Sequence, residues 1–422
     1  MNVESTKPVI LVLVSHYLPG YKAGGPIRSI SNIVEALGDE FDFRILTSDR
    51  DIGEKHPFPE IETGHWQPIG NARVLYISTS WRGIWPLIKA IMDTPSDLLY
   101  LNSFFGRRFS ILPMFLRWLR IFRPKSVLLA PRGEFSTGAL KIKNGRKTAY
   151  IKLARTLGFY SNVLWHASSQ FEEQDIHNAF CPGESIAIAL PIATQSGAVA
   201  RKLRIMTALD MPAAGTRQSL QKLAKQAGSI RLLFLSRISR KKNLDGAVCM
   251  LAGLRGRVQL DIYGPIQDQA YWKACLQLIE RLPNNVIVNY RGEAKHDAVD
   301  QLLSEHDALL FPTHGENYGH VIREAFSAGC PVVVSDQTPW RDLQRIGVGW
   351  DIPLAEFGRF QTVIQECIDM SPEDFGAFSR RACDYALALS KDPEIINQNR
   401  KLFARALIGD VLFEPAVAEV CL

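Results

Sequence analysis

The residues best placed to do chemistry lie in one stretch, Pro312-Thr-His-Gly-Glu316-Asn317-Tyr318-Gly319-His320-Val-Ile-Arg-Glu324-Ala-Phe. The apolar run Ala308–Phe311 precedes it, and a helix-compatible segment opens near Asn317–Gly319. This pattern predicts a strand, a glycine-containing loop and a helix. The amides of that helix start then lie at the carboxyl edge of a parallel sheet, where α/β crevices bind ligands. A helix N-terminus favours a phosphate through its dipole and its unpaired donors. Glu316 in the loop and Glu324 eight residues later supply two carboxylates, one for the hydroxyls on each side of a bound phosphate. Either acid alone reads equally well as a cap or a surface charge; the whole unit does not.

A second constellation is Leu233-Phe-Leu-Ser-Arg237-Ile-Ser-Arg240-Lys241-Lys242-Asn243-Leu. Arg237 leaves the end of an apolar run and Lys242 follows after four residues, so both are expected at the same sheet edge. A rigid guanidinium fork and a mobile ammonium make a useful pair for a diphosphate. Arg240 and Lys241 read as solvated neighbours.

Together the two segments resemble the nucleotide-sugar half of glycosyltransferase family 4, in its bacterial branch. The resemblance rests on E-x7-E as Glu316…Glu324 within GENYGHVIREAFSAGCPVV, on Arg-x4-Lys within FLSRISRKKNL, and on DIYGP at Asp261–Pro265, and covers roughly residues 230–350. It implies a retaining enzyme of GT-B fold, with two Rossmann-like doubly wound α/β domains and a cleft between them. It further implies that Glu324 binds the nucleotide ribose and Glu316 the donor sugar. Arg237 and Lys242 would hold the diphosphate, with the backbone near Asn317, Tyr318 and Gly319 completing the phosphate site.

The first half matches more loosely. The glycines of Tyr21-Lys-Ala-Gly24-Gly25-Pro26-Ile-Arg28 resemble the family's glycine-rich donor loop, since paired glycines let a backbone approach a ligand closely. Asn102 ends a strand where many relatives carry a histidine; an amide there can orient a group but cannot trade protons. Ala130-Pro131-Arg132-Gly133-Glu134 resembles an acceptor-side loop, with Glu134 held by Arg132 or Lys141. His166 ends another strand, where it reads as an acceptor-side candidate or a packed histidine.

Around these residues, short β-branched runs alternate with helix-compatible segments: Val9–Val14, Phe43–Thr47, Val74–Ile77, Leu98–Leu101, Val127–Ala130, Val163–His166 and Ile186–Leu190, then Arg231–Leu235, Val258–Tyr263, Val286–Tyr290, Ala308–Phe311 and Pro331–Ser335. Runs without polar alternation predict parallel sheets covered on both faces. The signal pauses between about 191 and 229, which reads as a domain connection. We therefore expect an acceptor-side domain over 1–195, a nucleotide-sugar domain over 196–390, and a helical segment over 391–422 that packs back on the first.

The chain has 422 residues, 46% of them hydrophobic and 22% charged, which excludes disordered, collagen-like and coiled-coil classes. Seven cysteines without a C-x-x-C pair indicate free thiols rather than zinc or disulfides, and the nine histidines show no metal-ligand spacing, so no metal is expected. No apolar run is long enough for a membrane helix and no leader is evident, which points to the cytoplasm. The net charge of +6 is too mild to indicate nucleic acid.

That charge is uneven. Thirteen basic side chains between Ser103 and Arg155 face one acid, Glu134, and aromatics are interleaved with them. Such a segment suits an anionic membrane surface or a solvated helix face. The expected function is therefore sugar transfer from a nucleoside-diphosphate sugar, with no resident cofactor, to an acceptor hydroxyl. A lipid-linked acceptor of polysaccharide, lipopolysaccharide or glycolipid assembly, met at the inner face of the membrane, is preferred. A non-catalytic nucleotide-sugar-binding protein and a GT-B epimerase are the alternatives. No G-x-G-x-x-G follows either half's first strand, which disfavours a dinucleotide oxidoreductase.

Overall fold

A computed structural model describes residues 7–136, 139–140, 144–182, 203–212, 222–295 and 298–408. The chain forms two compact units, one built from residues 1–134, 145–211 and 394–422, the other from 135–144 and 212–393.

The first unit contains β1 (Val9–Leu13), α1 (Gly25–Leu37), β2 (Asp42–Ser48), β3 (Trp66–Ile69), β4 (Ala72–Ile77), α2 (Ile84–Asp93), β5 (Leu98–Leu101), α3 (Leu112–Trp118), β6 (Val127–Leu129), α4 (Asn144–Thr156), β7 (Leu164–Ala167), α5 (Gln170–Phe180) and β8 (Arg204–Thr207). Its sheet runs β3-β4-β2-β1-β5-β6-β7-β8, parallel except for the β3–β4 hairpin. Ile10 and Val12 of β1 point to one face and Leu11 and Leu13 to the other, and all four are fully buried. A strand apolar on both sides needs cover on both sides, which is why these runs read as doubly wound. α1 starts at Gly24, whose φ of 69° is left-handed, and buries Ile27, Ile30, Ile33, Val34 and Leu37, an apolar stripe of helical period.

The second unit contains β9 (Ser229–Leu235), α6 (Leu244–Met250), β10 (Arg257–Tyr263), α7 (Gln269–Ile279), β11 (Val286–Tyr290), α8 (Val299–Glu305), β12 (Ala308–Phe311), α9 (His320–Ser327), β13 (Val332–Ser335), α10 (Leu343–Ile346), β14 (Gly349–Ile352), α11 (Phe357–Asp369) and α12 (Pro372–Ser390). All its strands are parallel, in the order β11-β10-β9-β12-β13-β14. This is the doubly wound order in which the winding reverses between the first and fourth strands, here β9 and β12, and the crevice outside that reversal is where such sheets bind ligands.

The last helix, α13 (Pro393–Ile408), returns to the first unit. Its Phe403 packs 5.5 Å from both Phe41 and Tyr100 and 5.9 Å from Phe43, with Ile395 and Leu402 in the same core. Arg400 clamps Glu40 through both carboxylate oxygens.

Three strands escaped the sequence reading, and each is a sheet edge: β3, β8 and β14. Edge strands pack against one neighbour, so they lack the two-sided apolar signature. β3 carries Pro68 and alternates exposed and half-buried residues. β8 corrects the expectation that 191–229 holds no strand; Arg-Ile-Met-Thr is half-buried throughout. The expected strand Ile186–Leu190, much of the 191–229 connection and the tail from 409 lie outside the described residues.

Candidate functional site

In the second unit the two sequence constellations meet at the β9/β12 reversal. The loop after β12 is bolted to the 3-10 turn Arg240–Lys242 that follows β9. The His314 amide and the Thr313 hydroxyl both donate to the Lys241 carbonyl, at 2.8 and 3.0 Å. Asn243 holds the left-handed conformation that ends the turn, with φ of 59°, and its Nδ2 donates to the Pro312 carbonyl at 2.7 Å. Glu316 is fixed from the other side by its amide, which donates to the Gln337 carbonyl at 2.9 Å.

This scaffold brings the Lys242 ammonium onto the Glu316 carboxylate as a hydrogen-bonded ion pair. The ammonium also sits 5.1 Å above the centre of the Phe311 ring. Burial works against ionising Glu316, but Lys242, Lys241 and Arg237 outweigh it and hold its carboxyl below the ordinary range. Three cations around one carboxylate leave this sheet edge electropositive. Lys241, set aside in the sequence as a solvated neighbour, is thereby part of the electrostatic site; its distance from Glu316 in sequence hid this. Arg237 itself is exposed.

α9 opens directly beyond. Its N-cap, Gly319, has φ of 79°, and a Cβ there would lie 2.9 Å from Ile322 Cδ1 and 3.1 Å from Glu316 Cγ. Glycine is therefore required both by the backbone and by the approach of Glu316. The Tyr318 carbonyl accepts from Trp340 Nε1 at 2.5 Å, and the Tyr318 ring stands edge-on to His320 at 4.9 Å. Asn317 lies half-buried in the loop. Glu324 is the fifth residue of α9 and half-buried, while its neighbours Ile322, Ala325 and Phe326 face the core.

The DIYGP segment has a framework role. Asp261 accepts from Gln259 and Asn289 at 2.8 Å each, and meets His306 at 3.1 Å and Arg291 at 3.3 Å. Gly264 has φ of 142°, and a Cβ there would lie 1.9 Å from the Ser236 carbonyl oxygen, so this glycine lets the ends of β9 and β10 close.

In the first unit the winding reverses between β1 and β5, and the candidates follow those strands and their neighbours. Gly24 caps α1, and the Gly25 carbonyl accepts from the Ser29 hydroxyl at 3.1 Å. Asn102 is buried at the end of β5; its Oδ1 takes two donors from Arg132, at 3.0 and 3.2 Å. Arg132 can only donate, so this contact fixes the amide orientation and turns Nδ2 away, where it has no partner among the described residues.

The ion pairing of Arg132 differs from expectation. Among the described residues Glu134 is not paired with Arg132, and Lys141 lies outside them. Glu134 takes the Ser103 hydroxyl at 2.9 Å and the amides of Phe104 and Phe105 at 2.6 and 3.0 Å. Burial pushes its carboxyl up despite those donors and the nearby Lys147. Arg132 instead pairs with Asp210 at 2.6 Å, and with the Tyr100 hydroxyl at 2.8 Å; both charged side chains are at least 95% buried. Asp210 also accepts from Ser29, which ties the glycine-led helix α1 to the Arg132 turn. The sequence reading missed Asp210 because it lies in the supposed connection, with no motif around it.

His166 is a packed histidine. It is fully buried, with Tyr100 Oη at 2.8 Å from Nδ1 and the Ala208 carbonyl at 2.9 Å from Nε2. The carbonyl only accepts, so Nε2 carries the proton and Nδ1 receives one from tyrosine. Burial first, then Arg132, lowers its pKa to about 4. The unfolded chain binds this proton near pH 6.5, the fold only near 4, so stability falls as pH drops through that window. The loss is on the order of 2 kcal/mol by roughly pH 4.5. Urea titrations across this range check it: His166→Gln should flatten the slope, and an unchanged slope would remove His166 as its source.

The chain contains one D-x-D triplet, Asp49-Arg50-Asp51, a pairing of carboxylates that could hold a metal. Its carboxylates are engaged structurally: Asp49 with Arg50 at 2.8 and 3.1 Å, Asp51 with the amides of Tyr21, Lys22 and Ile52 at 2.7 to 3.0 Å. Among the described residues no group of three or more His, Cys, Asp or Glu is gathered for a metal.

Residues 216–350 match the family model described as glycosyl transferases group 1. That segment holds both constellations of the second unit, so it carries a glycosyltransferase sequence. Solved structures extend the likeness to the whole fold. Sucrose-phosphate synthase from Thermosynechococcus elongatus is similar over 94% of this chain and 98% of its own, with a TM-score of 0.64 and 16% identity. HepE from Anabaena, solved with UDP and glucose, is similar over 94% and 99%, at 0.61 and 17%. WaaG, a glycosyltransferase of lipopolysaccharide biosynthesis, is similar over 94% and 99%, at 0.60 and 14%. No curated protein matches the chain in sequence. The fold is GT-B: two Rossmann-like α/β units.

Proposed function

We propose that this chain is a retaining, family 4 type glycosyltransferase of the bacterial branch, moving a sugar from a nucleoside-diphosphate sugar to an acceptor hydroxyl. The observation that carries this reading is the Lys242–Glu316 pair at the β9/β12 reversal, with Lys241 and Arg237 adding positive charge to the same carboxylate. An incoming diphosphate would draw Lys242 from Glu316 and leave that carboxylate to accept from donor-sugar hydroxyls. Arg237, Lys242 and the α9 start then stabilise the leaving diphosphate, so catalysis is electrostatic and needs no metal or resident cofactor. Glu324 takes the ribose hydroxyls. Gly24, Gly25, Asn102, Arg132 and Glu134 belong to the acceptor-side unit, where Arg132 and Glu134 act through the loops they hold.

The likeness to HepE with UDP and glucose supports UDP-glucose as the first donor to try. The basic, aromatic-rich 103–155 segment supports a lipid-linked acceptor of polysaccharide or lipopolysaccharide assembly, reached from the cytoplasm by peripheral attachment. No helix among the described residues is long and apolar enough to cross a membrane. Asn102 in place of the family's histidine favours one second reading, a nucleotide-sugar-binding protein without turnover.

Thermal melts with UDP-, GDP-, dTDP- and CMP-sugars, and NAD as control, test the donor site. A ligand at 100 times its dissociation constant adds about 2.7 kcal/mol. One nucleotide sugar should shift the melt, and Glu324→Ala should abolish the shift. A shift retained in Glu324→Ala removes the ribose role, and a shift with NAD alone removes the reading. Product formation with the stabilising donor separates transferase from binding protein.

A further inference from the structure

Two tryptophans in the first unit are almost wholly exposed: Trp81 at 77% and Trp85 at 76%. Trp81 opens a 3-10 turn, Trp81–Gly83, that leads into α2. α2 seats Leu87 and Ile91 on the core, as a sheet-covering helix should. Its outer surface ought then to be polar. Instead it exposes Ile84, Trp85 and Met92, and Lys89 and Asp93 are the only charges in the helix. A helix apolar on both sides calls for a second apolar phase against its outer face.

The same sheet face carries a second exposed apolar group. Strand order advances in one direction from β4 to β5 and on to β6 and β7, so right-handed crossovers put α2, α3 and α4 on one face. Arg108, just before α3, ties to the segment leading into α2 by donating to the carbonyls of Ser78 at 3.0 Å and Ser80 at 2.5 Å. Beyond it, Phe115, Trp118, Leu119 and Ile121 stay exposed, although Phe104, Phe109, Met114, Leu116 and Phe122 of the same segment fill the core. Cations run among them: Arg82 lies 5.8 Å over the Trp81 ring, and Arg107, Arg120 and Arg123 are exposed. Arg117 is excluded, since it is half-buried on the Ser161 carbonyl.

Here exposed aromatic residues and arginines gather on and around α2 and α3 on one sheet face, the composition of a surface lying in the headgroup boundary of an anionic bilayer. We propose that Trp81 and Trp85 are interfacial anchors that insert into the surface of an anionic membrane, with Arg82, Arg107, Arg120 and Arg123 on the headgroups. This rests on the membrane-side acceptor reading and specifies the surface that would make it work.

The test is cosedimentation of the full chain with phosphatidylcholine vesicles, with and without about a third phosphatidylglycerol. Binding should require the anionic lipid, and Trp81→Ser/Trp85→Ser should weaken it at least about tenfold with an unchanged melting temperature. Brominated phosphatidylcholine in the anionic vesicles should quench the wild-type tryptophan emission, and Trp81→Phe/Trp85→Phe should lose most of that quenching. Undiminished binding in the serine variant, or equal binding to neutral vesicles, overturns the proposal. So does concentration-dependent dimerisation that the serine variant abolishes in the absence of vesicle binding, which gives the face to a second copy. The nucleotide-sugar melt is read separately, so loss of vesicle binding with that shift intact leaves the donor site standing.

Discussion

Lys242→Met is expected to lower kcat by about 100- to 1,000-fold, the cost of removing one preorganised charge from a developing anion. Methionine keeps a stem of similar length over the Phe311 ring, so the change isolates the ammonium. The loss should fall on kcat more than KM, because Lys241 and Arg237 remain to attract the ground-state diphosphate. Glu316 responds as well. Burial already opposes its ionisation, and without Lys242 its carboxyl must rise. The acid limb of the rate profile should therefore move to higher pH in the variant. The assay is nucleotide release from whichever nucleotide sugar stabilises the chain. A variant that keeps a tenth or more of wild-type kcat with an unmoved acid limb would show the pair to be structural.

Asp210→Ala is expected to cost about 3–5 kcal/mol of unfolding free energy, the penalty for stranding a buried guanidinium. Arg132 sits with Asp210 at 2.6 Å, both nearly sealed from water, and its remaining acceptors are Tyr100 Oη and Asn102 Oδ1. The substitution also frees the Ser29 hydroxyl from Asp210 and so loosens α1 behind the Gly24–Gly25 start. Adding Arg132→Met should recover a large part of the loss, because two apolar groups no longer leave a charge unpaired. Urea denaturation of the wild type, both single variants and the double variant closes the cycle. A loss below about 1 kcal/mol in Asp210→Ala would mean water reaches the pair.

Much of the fold was legible because central parallel strands are buried on both faces. Leu98–Leu101 and Ala308–Phe311, apolar at every position, agree with the structure residue for residue. The edge Val286–Tyr290 was legible, but Arg204–Thr207 and Gly349–Ile352 were not: each bonds to one neighbour, and their composition resembles a loop. Where the Arg237–Lys242 and Glu316–Glu324 segments fall was legible for a related reason. A strand end, a glycine and a helix start leave local signals, and the reversal of strand order fixes where such ends meet.

The sequence by itself determined the α/β class, the two constellations after β9 and β12, and the residue types at each strand end. Only the tertiary structure decided which charges meet. Lys242 and Glu316 are 74 positions apart and are joined because β9 and β12 are neighbours. Arg132 turned from the nearby Glu134 to the distant Asp210, since Glu134 is satisfied by amides of the β5–α3 loop while the guanidinium faces β8. It likewise sorted the basic segment, sending Phe104 and Leu116 inward and leaving Phe115 and Trp118 in water. Pairing of charges and burial of aromatics depend on distances across the sheet, and strand order, not spacing along the chain, sets those distances.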